Sequence, residues 1–142
     1  MIDYAQNPEY LEFANSVLSV KYLPDPSRTA WITKLVDGAI AAVVIYTNVT
    51  VHNCEMVIAT DGKARWATRE FLGVCYRYAF KQMKLKRITV VVDENNHKSL
   101  KLCEKLGHTK EGLLLNWFGS KNGIAMRMLD TECRWIQEKQ IG

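Results

Sequence analysis

The segment from Ile88 to Gly112, ITVVVDENNHKSLKLCEKLGHTKEG, constrains the fold more than any other part of the chain. Its opening run Ile88-Thr89-Val90-Val91-Val92 is short, apolar and rich in β-branched residues, which suit the pleated surface of a strand. With its flanks it predicts a strand over Arg87–Asp93, buried on both faces. Asn95 and Asn96 suit the start of a helix that runs to Leu106. Leu102, Cys103 and Leu106 recur at helical spacing, and Gly107 is placed to stop the helix. A second strand is expected over Thr109–Asn116. Strand, turn, helix and strand in so few residues place the helix on the face of a sheet that both strands enter. Polar Asn96 and Ser99 then gather at the C-terminal end of a buried strand, where open α/β sheets bind ligands.

The rest of the chain supplies the other strands. Pro8, Tyr10, Leu11, Ala14, Val17 and Leu18 predict an amphipathic first helix, broken at Leu23-Pro24-Asp25-Pro26-Ser27. Ala30–Val36 and Ala39–Thr47 read as strands joined by Asp37-Gly38, a strong two-residue hairpin signal. Val49–Ala59 reads as a third strand and Thr60-Asp61-Gly62-Lys63 as a turn. Thr68–Met83 reads as a helix capped by Thr68, with Phe71, Leu72, Cys75, Tyr78, Ala79 and Met83 on its apolar face. Ile124–Leu129 is a further strand, and a short helix over Thr131–Lys139 is expected last. The 142 residues make one domain, 1–142. Its expected class is α/β: a mixed, mostly antiparallel twisted sheet with a central β-α-β-α unit and helices on both faces.

Composition narrows the function classes. With 48% hydrophobic and 24% charged residues, a chain of this length can bury a core without staples. The longest apolar run, Ala39–Tyr46, is too short to span a bilayer, and the polar start MIDYAQNPEY does not read as a secretory signal. The formal charge is only +4, and the Lys and Arg residues are dispersed instead of forming the basic stripe that nucleic-acid binding needs. Cys54, Cys75, Cys103 and Cys133 show no CxxC spacing, and His52, His97 and His108 no HxxxH, so no metal site is expected. Isolated cysteines act as small buried hydrophobes in a reducing compartment, which points to the cytoplasm.

Three places could carry chemistry. The turn Thr60–Glu70 joins a strand to a helix start and holds Gly62, Lys63, Arg65 and Arg69. Free amides at a helix N-terminus bind phosphate, and flanking cations strengthen the attraction; the bland account is a basic surface turn. Asn96 could pair with amides of an extended ligand, with Ser99 one turn later on the same side; the bland account is helix capping. Glu55, a carboxylate in an apolar strand, could act as a general base, with His52 of the same strand competing for that role; a solvated strand face explains both as well. Cys103 could donate a proton or simply be a buried thiol. Trp31, Trp66, Trp117, Phe118 and Trp135 read as core or interface, with Trp66 set inside the phosphate-like turn.

Taken together, these elements resemble the GNAT superfamily of N-acetyltransferases over roughly Ala30 to Leu129. The strongest part is Asn96-x-x-Ser99-x-x-Leu102-x-Glu104-Lys105-Leu106-Gly107-His108 followed by Glu111-Gly112. It is similar to the N-x-x-S-x-x-L-x-E-K-L-G-F-x-x-E-G run of the branch that acetylates ribosomal-protein N-termini, with His108 in place of Phe. Tyr78-Ala79-Phe80 ahead of Lys86-Arg87-Ile88 matches the same branch. The family turn R/Q-x-x-G-x-G/A is altered: its glycine positions hold Ala64 and Trp66. In the alternative register, Gly62-x-Ala64, Ala59 stands where the Arg or Gln should be. The W-x-T-R turn and the Glu132–Trp135 ending look like members carried by bacteriophages, which would place the protein in the host cytoplasm.

The resemblance implies an acetyl-CoA-dependent transferase that moves an acetyl group to a primary amine by direct attack in a ternary complex, without a metal. It implies that the strands Val49–Ala59 and Arg87–Asp93 start paired and then splay, with a bulge in the first as a cause. The pantetheine arm would pair with Val57, Ile58 and Ala59, and the pyrophosphate would rest on Arg65, Trp66, Ala67, Thr68, Arg69 and Glu70. Asn96 and Ser99 would border the arm near the thioester. Ser99 is implied as the acid, because Cys103 stands where many relatives carry a Tyr; Glu55 is chosen as base, with His52 second. The acceptor could be a protein N-terminus, a lysine, a polyamine or a small metabolite, held by the Pro24–Ser27 loop, the Trp117–Gly123 hairpin and the first helix. Exposed tryptophans near the C-terminus would favour a homodimer. The altered turn and the missing Tyr leave a second reading, a degenerate module that binds CoA or a protein partner without turnover.

Overall fold

Seven strands form one sheet in the computed structural model, which describes residues 1–18, 21–22 and 29–137. They are β1 (Ile2–Asp3), β2 (Thr29–Val36), β3 (Ala39–Thr47), β4 (Asn53–Ala59), β5 (Arg87–Asp93), β6 (Thr109–Leu114) and β7 (Gly123–Leu129). Their order across the sheet is β1-β2-β3-β4-β5-β7-β6, and β4–β5 is the one parallel pair among these neighbours. The mixed, mostly antiparallel α/β sheet is the one expected. The short β1 was not anticipated: two residues carry too little pattern to read.

The local chemistry explains most element boundaries. Helix α1 (Pro8–Val17) starts on a proline, whose fixed φ suits the first helical position, and Asn7 accepts the Glu9 amide at 3.0 Å. Asp37 and Gly38 take φ of 52° and 78°, the left-handed pair that matches the twist of a tight hairpin. Helix α2 (Arg69–Arg77) is capped by Thr68, whose Oγ1 accepts the Phe71 amide at 3.2 Å. It does not stay α-helical to Met83: Tyr78–Gln82 widens into a π turn, with the Met83 amide on the Tyr78 carbonyl at 2.9 Å. Helix α3 (His97–Leu106) is capped by Asn96 and stopped by Gly107 at φ 110°.

Several expectations need correction. Residues 49–52 are not strand: Asn48 turns the chain at φ 50°, and Thr50 bonds to Asn53 through both its amide and its hydroxyl. β5 is not buried on both faces; Ile88, Val90 and Val92 are buried while the alternate residues are half-exposed. β6 stops at Leu114, because Asn116 turns at φ 56° with its amide on Asn122 Oδ1. The expected helix over Thr131–Lys139 is only a 3-10 turn at Asp130–Glu132, with residues 138–142 outside those described. There the chain turns so that Trp135 can stack on Tyr76, 6.4 Å between ring centres, and donate to the Leu106 carbonyl at 2.8 Å. Tertiary docking overrides local helix preference.

Two apolar clusters sandwich the sheet. Val44, Tyr46, Met56, Ile88 and Val90 face α2 and α3, meeting Phe71, Cys75, Tyr76, Leu100, Cys103 and Leu106. Val43, Ile45 and Ala59 face α1, meeting Leu11, Ala14 and Trp31. All four cysteines are free and buried. The second cluster ends at β4, so the α1 side of β5 is left partly open. That asymmetry positions the site.

Candidate functional site

The sheet opens between β4 and β5. Pairing holds for Asn53–Arg87, Cys54–Ile88 and Glu55–Thr89, and then stops. Beyond that point β4 stays in register with β3 through Ala59, and β5 with β7 through Asp93. Each strand follows the twist of its outer neighbour, and the less stable parallel ladder is the one that parts. No bulge is needed: the β3–β4 register is unbroken, and the bulges lie at Lys34/Leu35 in β2 and Lys110/Gly112 in β6. The expected splay is present and its expected cause is not.

The opening is a cleft of about 150 Å³ that passes through the sheet. Met56, Ile58, Val90 and Val92 line it from the α2/α3 face, and Val57 and Val91 from the α1 face. The inward backbone groups of Met56–Ala59 have no strand to pair with, so an extended ligand could be added there as a strand. α3 supplies Asn96, Ser99, Leu102 and Cys103. Because β6 runs parallel to β5, α3 must return antiparallel to both, so Asn96, Ser99 and Cys103 step from the open end toward the fork. Asn96 caps its helix: its Oδ1 accepts the Ser99 amide at 3.1 Å, which leaves its NH₂ for a ligand. The Ser99 hydroxyl has no protein partner among the described residues. Burial, followed by the nearby Glu104, pushes the Cys103 thiol up to about 11, so it is a neutral thiol and not a nucleophile.

β4 leads directly into the phosphate-like turn. Gly62 bends the chain at φ 73°, with its amide on Thr60 Oγ1 and the next one on Asp61 Oδ1. Among the described residues no acceptor takes the amides of Ala64 through Ala67, Arg69 or Glu70, and no carboxylate pairs with Lys63, Arg65 or Arg69. Both arginines are exposed. The Trp66 ring is buried against Phe71, 6.4 Å between centres, so only its backbone faces the turn.

Glu55 stands at the fork itself, paired with Thr89 in register, half-buried, and accepting from Asn48 Nδ2. It points to the α1 face, as Val57 does. His52, expected in the same strand, lies instead in the exposed turn before it, at the closed end of the parallel pair; its carbonyl takes the Lys86 and Arg87 amides. It is not among the residues that line the cleft. The expected Pro24–Ser27 contact falls outside the described residues. The Trp117–Gly123 hairpin contributes Phe118, and it is tied to the end of β5 by Asn122 on Glu94 at 3.2 Å. Leu18 and Tyr22 complete the α1 side, and no motif announced Tyr22.

A sheet that opens where its parallel pair ends, with free amides in the turn that follows β4, can hold an extended anionic ligand in its gap. The family model described as an acetyltransferase (GNAT) domain matches residues 37–109, and the chain belongs to that family. It is 22% identical over 104 residues to the acetyltransferase PseH of Campylobacter jejuni, covering 73% of this chain and 66% of PseH. The crystal structure of PseH in complex with acetyl coenzyme A superposes with a TM-score of 0.59 at 20% identity, over 73% of this chain and 70% of that one. The ribosomal-protein-S5-alanine acetyltransferase of Vibrio fischeri gives 0.63 at 22% identity, over 76% and 65%. Mutant forms of the spermidine/spermine N-acetyltransferase SpeG of Vibrio cholerae give 0.74 at 15% identity, over 92% and 95%. This chain thus spans about two thirds of PseH's length. Among the described residues no helix is long and apolar enough to cross a membrane, and no group of three His, Cys, Asp or Glu could hold a metal.

Proposed function

We propose that this protein is an acetyl-CoA-dependent N-acetyltransferase acting on a primary amine. One observation carries the reading: β4 and β5 part after Glu55–Thr89 and leave a cleft edged by unpaired backbone. The residues present fit the co-substrate. Val57, Ile58 and Ala59 offer a strand edge for the pantetheine arm. The free amides of Arg65, Trp66, Ala67, Arg69 and Glu70, with the unpaired Arg65 and Arg69 and the Thr68 cap between them, offer a seat for the pyrophosphate. Asn96 and Ser99 border the arm on the α3 side.

In the proposed reaction the amine nitrogen attacks the thioester carbonyl carbon, the C–S bond breaks, and CoA leaves as a thiolate. Glu55 takes the ammonium proton through water before attack, the Ser99 hydroxyl gives its proton to the sulfur, and the second proton of the acylated nitrogen returns to the Ser99 oxygen, so one proton in all is released. His52 drops to a remote second choice, because it sits outside the cleft. The acceptor stays within the classes of protein N-terminus, lysine, polyamine and small metabolite, and the similar structures named above include a ribosomal-protein-S5-alanine acetyltransferase and a spermidine/spermine N-acetyltransferase. A bacteriophage source, with the host cytoplasm as location, and a homodimer belong to the same proposal. For the dimer, Leu113, Leu115 and Trp117 stand exposed on and beside edge strand β6, whereas Trp135 is tucked in.

A second reading, CoA or partner binding without turnover, has its own support: Trp66 fills a glycine position of the family turn, and Cys103 replaces the usual phenol acid. Two assays separate them. Calorimetric titration with acetyl-CoA should show one site per chain under the first reading, and thiol release should rise with an Ala-initiated peptide, spermidine or a lysine amide. Binding without thiol release favours the second reading. No binding overturns both cofactor readings.

A further inference from the structure

The cleft is lined from both faces of the sheet, and on the α1 face only β4 residues have so far been given a role. Asn96, Ser99 and Cys103 approach from the α3 side. From the α1 side come Leu18, Val57 and Tyr22, with Phe118 entering from the β6–β7 hairpin. Tyr22 lies outside any helix or strand, yet it is fastened. Asn15, in the last turns of α1, accepts the Tyr22 amide on Oδ1 at 2.8 Å and donates Nδ2 to the Tyr22 carbonyl at 2.9 Å. One side-chain amide thus does for Tyr22 what a neighbouring strand does for a β residue, fixing both its position and its direction. Lys21 adds a bond from its ammonium to the Asn15 carbonyl. A residue whose role was only to fill space would not need its backbone held at two points, since apolar packing against Leu18 and Val57 is undirected.

We infer that Tyr22 is the acceptor-side contact of the cleft and that Asn15 is its positioning residue, so that the incoming amine is held against the Tyr22 phenol on the face opposite Ser99. This rests on the acetyl-transfer reading above. The position fits an amine that arrives as an ammonium. Glu55 projects to the same face of β4 two residues before Val57, and Asp93 lines the cleft at its open end. Burial, and then the charge of Glu55, keeps the Tyr22 phenol protonated above its ordinary range. It can therefore accept from the ammonium while donating to a carboxylate or water. The apolar walls of Leu18, Val57 and Phe118 would seat the carbon attached to the amine.

The experiment compares wild type with Asn15→Ala, Asn15→Asp, Tyr22→Phe, Tyr22→Ala and the double variant N15A/Y22A. Acetyl-CoA affinity is measured by calorimetry, and kcat and KM for spermidine and for an Ala-initiated peptide by thiol release. Acetyl-CoA affinity should stay within about twofold throughout. For whichever amine is turned over, Tyr22→Ala should lower kcat/KM by about tenfold or more, and Asn15→Ala should do the same. The double variant should be no worse than Tyr22→Ala, because both remove one contact. Tyr22→Phe should keep the wall and lose the amine's hydrogen bond, and Asn15→Asp, which keeps the acceptor oxygen, should lose less than Asn15→Ala. The inference is overturned by an unchanged kcat/KM in Asn15→Ala, by additive losses in the double variant, or by acetyl-CoA affinity falling in step with the amine term. A wild type that binds no acetyl-CoA sinks the underlying reading first, and calorimetry alone reveals it.

Discussion

His108 should make the fold sensitive to mild acid. It is buried to 3% exposure where the family run carries Phe, its Nε2 lies 2.9 Å from Tyr76 Oη, and its Nδ1 has no partner among the described residues. Burial holds the imidazole neutral down to about 4, against an ordinary 6.5, with Glu132 opposing only partly. Above pH 6.5 neither folded nor unfolded chain carries the proton, and His108 contributes no pH dependence. Between 6.5 and about 4 the unfolded chain takes up a proton that the folded one refuses, so stability falls as pH falls. The loss approaches about 1.4 kcal/mol per pH unit in mid-window and about 3 kcal/mol in all. Urea midpoints from pH 7.5 to 5 measure it, with a His108→Phe/Tyr76→Phe double variant as reference, since removing only the imidazole would strand a buried phenol. The difference between the two curves cancels the carboxylates. If that difference stays flat between pH 6.5 and 5, the imidazole is either solvated or already paired, and the burial reasoning fails.

Other outcomes follow from the site. Arg65→Glu with Arg69→Glu should weaken acetyl-CoA binding by tenfold or more and flatten its salt dependence, read by calorimetry at two ionic strengths; an unchanged affinity would remove the turn from the pyrophosphate seat. Ser99→Ala should lower kcat by about ten- to a hundredfold with little change in acetyl-CoA affinity, and Glu55→Gln should do likewise. Leu115→Asp with Trp117→Ser should shift sedimentation toward a single chain if edge strand β6 pairs two copies, and should leave the acetyl-CoA affinity unchanged.

The legible parts of this molecule are those where backbone chemistry allows few choices. Asp37-Gly38 and Gly107 were readable because left-handed φ is cheap for very few residues, and both adopt it. Asn96 illustrates a case where two readings coexist: it caps α3 and also borders the cleft. The misjudged places are those where tertiary contacts outbid local pattern. Val49–His52 looks like strand, but Thr50 folds it into a turn, and that takes His52 away from the cleft. The final segment has helical composition, but Trp135 is drawn to Tyr76 and the Leu106 carbonyl. Trp66 is a double case like Asn96: its ring joins the core beside Phe71, and its amide stays in the turn. Tyr22 was invisible because its anchor, Asn15, is an unremarkable helix residue with no spacing rule attached.

The fork makes one further demand that tests the geometry without turnover. Along any strand the backbone amides point alternately to its two neighbours. Met56–Ala59 keeps β3 on one side and loses β5 on the other, and Val90–Asp93 keeps β7 and loses β4. In the free protein, hydrogen exchange should therefore alternate residue by residue in these two segments. Amides that face β3 or β7 should be protected by the global stability, and their neighbours should exchange orders of magnitude faster. Cys54 and Glu55, still inside the zipped stretch, should show no such alternation. Adding CoA should slow the fast amides of Met56–Ala59 selectively, because a ligand pairing as a strand replaces only the missing side. Uniform protection through Ala59 in the free protein would mean that the two strands close up in solution. Protection by CoA confined to residues after Thr60 would mean that the ligand sits on the helix start alone and never enters the gap.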